Sequence, residues 1–100
     1  MDFAENRRVI EILRTQLRSL RARKAHKRRQ LHVVLARLIL AQSPEAPARQ
    51  SDAIAREYLE LYSRFVDLEG DIVHVQAMLE HHLDLGQDIA REIREFSEVN

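Results

Sequence analysis

One hundred residues make one modest domain with little room for a deep small-molecule pocket, and the lack of cysteine excludes disulfides, thiolate zinc sites and cysteine nucleophiles. Two Gly, two Pro, 45% apolar and 32% charged residues are the composition of long helices, not of a turn-rich β fold. The net charge is zero but divided: residues 1–51 carry twelve basic and four acidic side chains and residues 52–100 the reverse, so two halves of opposite sign are set to pair.

Asp2 is placed as the N-cap, with Glu5 three residues on as its capping-box partner. From Phe3 an apolar four-three spacing runs through Ile10, Leu13, Leu17, Leu20, Leu31, Val34 and Leu38, interrupted at Lys24 and Lys27. Ten of the sixteen basic residues fall between Arg7 and Arg29, with Glu11 the one acid among them. This predicts a cationic helix over about 2–42. The Pro44 and Pro47 region breaks it, giving a loop over 43–51. Ser51 or Asp52 can cap a second helix over about 52–97, whose seam is Ile54, Tyr58, Leu61, Phe65, Leu68, Ile72, Val75, Leu79, Ile89, Ile93 and Phe96. Its polar or small defects are His82 and Gly86.

Two long helices joined by a short loop predict an all-α, antiparallel coiled-coil hairpin filling residues 1–100 as a single domain. With Phe3 as an a position, a fold about Ala46 pairs residues whose numbers sum to 92. Leu13 then meets Leu79, Leu17 meets Val75, Leu31 meets Leu61 and Val34 meets Tyr58, while Asn6 faces Gly86 and Ile10 faces His82. On the g flank Arg37 meets Glu57 and Arg23 meets Asp71, which makes that flank a satisfied edge. On the e flank Arg7, Arg14, Arg21 and Arg28 recur at every heptad against Leu83, Gln76, Glu69 and Tyr62, so only Arg21 has an acid opposite. Beside this row Leu59, Val66 and Val73 at b join Tyr62, and near the loop Val33, Leu35, Ile39 and Leu40 lie outside the seam. A hairpin alone leaves these residues in water, and contiguous apolar surface marks association. Pairing of two hairpins into a four-helix bundle is the plainest way to cover them.

Catalytic and metal chemistry find little footing. Asp71 with His74 and His81 with Asp84 have spacings that can share an ion, but both His fall at outward c positions, and only His82 points to the seam. His32 lacks the acidic and polar neighbours of a phosphorylated His, and no Gly-rich phosphate loop or clustered Ser, His and Asp set is present. No catalytic residue, metal or cofactor is expected. Lys24 and Lys27 form a polar layer in the seam, facing Leu68 and Phe65, with stems over apolar surface and charge reaching water or nearby acids.

No secretory leader is expected, because Asp2, Glu5 and Glu11 interrupt any charged-then-apolar start. The run from Leu31 to Ala41 falls short of the ~20 residues of a membrane span. A cytoplasmic location is expected. In general shape the chain resembles small helical-hairpin adaptors and secretion-type chaperones. The function expected is a non-catalytic interaction module, adaptor-like, chaperone-like or an assembly factor, that forms a homodimer or clasps an amphipathic helix with acidic flanks. Arg7, Arg14, Arg21 and Arg28 supply its charged contacts, and Leu59, Tyr62, Val66 and Val73 its apolar ones. The alternative is a nucleic-acid-binding dimer using the same basic helix. Against that alternative, the acidic second helix imposes a repulsive field and the leucine repeat ends at Glu45 and Pro47.

Overall fold

A computed structural model describes residues 1–45 and 47–99, with the backbone alone at Val99. The fold point Ala46 lies outside the described residues. The chain is all-helical, two helices folded back as a hairpin: α1 spans Phe3–Ala41 and α2 spans Ala48–Val99. No strand occurs among the described residues. Neither helix is apolar over a long enough stretch to cross a membrane.

Local chemistry explains the helix ends. The Asp2 Oδ1 accepts from the Glu5 amide at 2.8 Å, which satisfies one of the amides that the first helical turn leaves without a partner. At the far end of α1 the amides of Gln42 and Ser43 close tight three-residue turns onto the carbonyls of Ile39 and Leu40. The second helix starts at Ala48, ahead of the expected Ser51 or Asp52. Pro47 fits the start of a helix, where its missing N–H costs nothing, and its carbonyl accepts the Gln50 amide at 3.0 Å.

The chain divides into two compact units, each holding a piece of both helices. In the unit Leu20–Asp71 the core is Val34, Ala41 and Ile54, with Leu38, Tyr58 and Leu61 packed against it. Leu31 is also buried there. Arg37 donates to both carboxylate oxygens of Glu57 at 3.1 and 3.2 Å, the cross-helix pair the register predicts.

In the unit Met1–Ser19 with Ile72–Asn100, Leu13, Leu17, Ile72 and Val75 are buried. The most buried side chain in this unit is polar: Asn6, at 1% exposure. It lies over Gly86, where a Cβ would stand 2.9 Å from the Asn6 Nδ2. The gap lets Asn6 donate to the His82 carbonyl at 2.9 Å, and its Oδ1 lies 2.8 Å from the His82 Nδ1. Because the amide nitrogen is committed to a carbonyl, the amide oxygen must accept, so Nδ1 carries the hydrogen. The expected facing of Asn6 and Gly86 is present, but the His82 ring turns to Asn6 and does not simply oppose Ile10. A buried Asn satisfied on both ends of its amide is a register device, since any slip strands its polar atoms.

Gly70 is the contrasting glycine. It is helical and exposed, neither glycine has a positive φ, and nothing lies within 4 Å of a Cβ built there. Gly70→Ala therefore gains the helix propensity of alanine, about 1 kcal/mol. Thermal denaturation is expected to show a higher midpoint, and an unchanged or lower one would mean that Gly70 meets something the single chain does not contain.

Candidate interaction surface

The seam of the unit Leu20–Asp71 is polar at Lys24 and Lys27, both half-buried. The Lys24 Nζ pairs with Glu69 at 3.4 Å and stands 5.5 Å from the Phe65 ring centre. Lys27 donates instead to Gln30 at 3.1 Å. Among the described residues it is therefore Lys24, joined by the Arg28 guanidinium at 5.9 Å, that covers Phe65.

This alters the e-flank pairing. Glu69, the acid placed opposite Arg21, is engaged by Lys24. Arg14 pairs along its own helix with Glu11 at 3.3 Å, a contact between two exposed groups worth at most about 1 kcal/mol. Arg28 lies on an aromatic face. Arg7, beside Ala4, Arg8, Glu11 and Ile12, and Arg21 are both exposed. Of the four heptad-spaced arginines, Arg14 thus pairs with an acid of its own helix and Arg28 lies on a ring, and two of the four belong to each compact unit.

The apolar residues beside them are open. Leu59 is 63% exposed, Tyr62 48% and Val66 45%. Tyr62 stacks on Tyr58, ring centres 6.2 Å apart, which roots it on the core while leaving one side to solvent. Leu35 and Ile39 of α1, also exposed, occupy the e and b positions of the same flank. By their heptad positions these five residues of the unit Leu20–Asp71 share one flank with Arg21, Arg28 and Glu69. Val73, in the other unit, is exposed as well.

The g flank is different. Grooves there are lined by Ala22, Arg23, His26, Lys27, Arg64, Asp67, Leu68 and Asp71, and nearer the loop by Val33, Arg37, Glu57, Glu60 and Leu61 among others. Arg23 and Asp71 share the first groove, as the register places them. Val33 therefore belongs to this mixed-charge flank and not to the apolar face.

Among the described residues no group of three or more His, Asp or Glu is placed to hold a metal ion. The rings of His81 and His82 meet edge to face, 5.2 Å apart. No buried side-chain polar atom among the described residues lacks a partner. No protein-family model matches the chain, and comparison with curated proteins and with solved structures finds no match.

Proposed function

We propose that the protein is a non-catalytic interaction module: a helical hairpin that acts by presenting an apolar helix face, edged with arginine, to another helical surface. The observation that supports this is the open face of Leu35, Ile39, Leu59, Tyr62 and Val66. Large exposed apolar side chains gathered on one flank cost solubility and are usually kept where they are covered in use. Arginine at the border suits such a surface, because its flat cation packs over aromatic rings, as Arg28 does over Phe65, and still reaches acids.

The competing reading is nucleic-acid binding, favoured by the density of basic residues between Arg7 and Arg29. The two readings predict opposite salt behaviour. Titration with generic duplex DNA and RNA at about 50 and 200 mM salt is expected to show no affinity that falls steeply with salt, because phosphate binding by many cations releases counterions and loses strength by orders of magnitude over that range. A steep salt slope would overturn the interaction reading. As a companion test, Arg14→Glu, Arg21→Glu and Arg28→Glu together are expected to weaken association of the protein at least tenfold. Unchanged association would reassign the arginines to solubility.

A further inference from the structure

The partner of the apolar face follows from charge. Within the unit Leu20–Asp71 the α1 segment, residues 20–41, carries seven basic side chains and no acid, whereas the α2 segment, residues 48–71, carries six acids and three bases. A surface made of one strongly basic and one acidic helix, with its apolar residues drawn from both, is complementary to a copy of itself turned so that unlike helices meet.

Resting on the interaction reading above, we infer that the face is occupied by a second copy of this chain, related by a two-fold axis parallel to the helices. The loops of the two copies then lie at the same end, and α1 of each copy packs against α2 of the other. Of the two face-to-face arrangements with two-fold symmetry, this one alone sets basic against acidic. An axis perpendicular to the helices lays α1 on α1, bringing Arg21 and Arg28 of one copy to the side of the contact that holds the same two cations of the other.

Register agrees with the axis. A two-fold parallel to the helices leaves every residue at its own height, and heights within the unit are set by the pairs Arg37–Glu57 and Lys24–Glu69. Leu35 of one copy therefore comes level with Leu59 of the other, and Arg21 and Arg28 come within about one helical turn of the other copy's Glu69 and Tyr62, a distance an arginine side chain spans. The half-exposed Glu69 keeps its Lys24 partner and gains a second cation. Tyr62 gains a guanidinium on the side that Tyr58 leaves open.

Distances between spin labels test the arrangement. The chain has no cysteine, so Arg49→Cys, Arg56→Cys and Ser63→Cys each take one label, and all three are exposed f positions of α2, away from the proposed contact. They climb the helix in steps of about 10 Å. The axial two-fold predicts one inter-copy distance repeated at all three sites. A perpendicular axis predicts distances that change from site to site, and that result would overturn the arrangement while leaving the interaction reading intact. Absence of any inter-copy distance at high protein concentration would overturn the second copy as occupant and assign the face to a helix of another protein.

Discussion

Replacing Lys24 and Lys27 together by leucine is expected to raise stability by about 1–3 kcal/mol. Both lysines stand in the seam, and Lys24 retains 27% side-chain exposure even with its partners in place. What the substitution removes is small. The Lys24–Glu69 pair joins two partly exposed groups and contributes at most about 1 kcal/mol, and the partly exposed ammonium over the Phe65 ring about 0.5–1 kcal/mol. Glu69 is half-exposed and can return to water when its partner goes. What the substitution adds is apolar burial against Phe65 and Leu68, for which a fully buried leucine is worth about 1.5–3 kcal/mol and a partly buried one less. For a chain of this size each kcal/mol moves the thermal midpoint by about 4–8 °C. An unchanged or lowered midpoint would contradict the placing of these lysines in the seam. The same pair of substitutions exposes the reason such residues are kept: a polar layer limits which registers and partners the seam accepts.

The second large effect is a reversal of sign at Gly86. In the native chain Gly86→Ala is expected to lower stability by about 1 kcal/mol. The new Cβ would stand 2.9 Å from the Asn6 Nδ2, and Asn6 can withdraw only by giving up its hydrogen bonds to His82. Leaving those buried groups without partners costs about 1–3 kcal/mol, more than the ~1 kcal/mol that alanine adds to a helix. In the background Asn6→Ala the obstruction and the hydrogen bonds are both gone, so Gly86→Ala should stabilise by about 1 kcal/mol. A double-mutant cycle read by thermal or denaturant unfolding would then show a coupling of about 2 kcal/mol. Additive effects would mean that Asn6 and Gly86 do not form one lock. Gly70→Ala is the internal control, since no neighbour opposes its Cβ.

Helix content, the Asp2 cap and the pairings of Arg37 with Glu57 and Asn6 with Gly86 are legible in the residues, because they depend on periodicity, on cap chemistry and on the seam and flank positions of one heptad register. Three features depend on what side chains choose among neighbours, and periodicity does not decide that. Lys24 outcompetes Arg21 for Glu69 because it starts from the seam, nearer to the acid. Lys27, with Gln30 one turn away, stays on its own helix and leaves Phe65 to Lys24 and Arg28. His82 turns to Asn6 because Gly86 leaves the space for the amide to come close. The start of α2 was hidden for another reason: Pro47 breaks a helix that runs into it and begins one that runs away from it, and composition alone does not separate the two.

The apolar stripe of α2 was visible as b positions in the heptads, and Leu35 and Ile39 belong with it only once the two flanks are told apart. Arg37 and Glu57 mark the g flank by their ion pair, and Val33 lines a groove with them. Leu35 and Ile39 then fall on the other flank, beside Tyr62. That division turns a scatter of exposed apolar residues into one face of five.

The most direct test of this face is the mass of the protein in solution, measured by sedimentation equilibrium for the native chain and for a variant carrying Tyr62→Lys and Val66→Lys. Both positions are about half-exposed, so the lysines can reach water and the hairpin should keep its helical circular dichroism. The native protein is expected at twice the chain mass of 11.7 kDa and the variant at the single-chain mass. A native protein at the single-chain mass, or a dimer that survives both substitutions unchanged, would contradict pairing through this face.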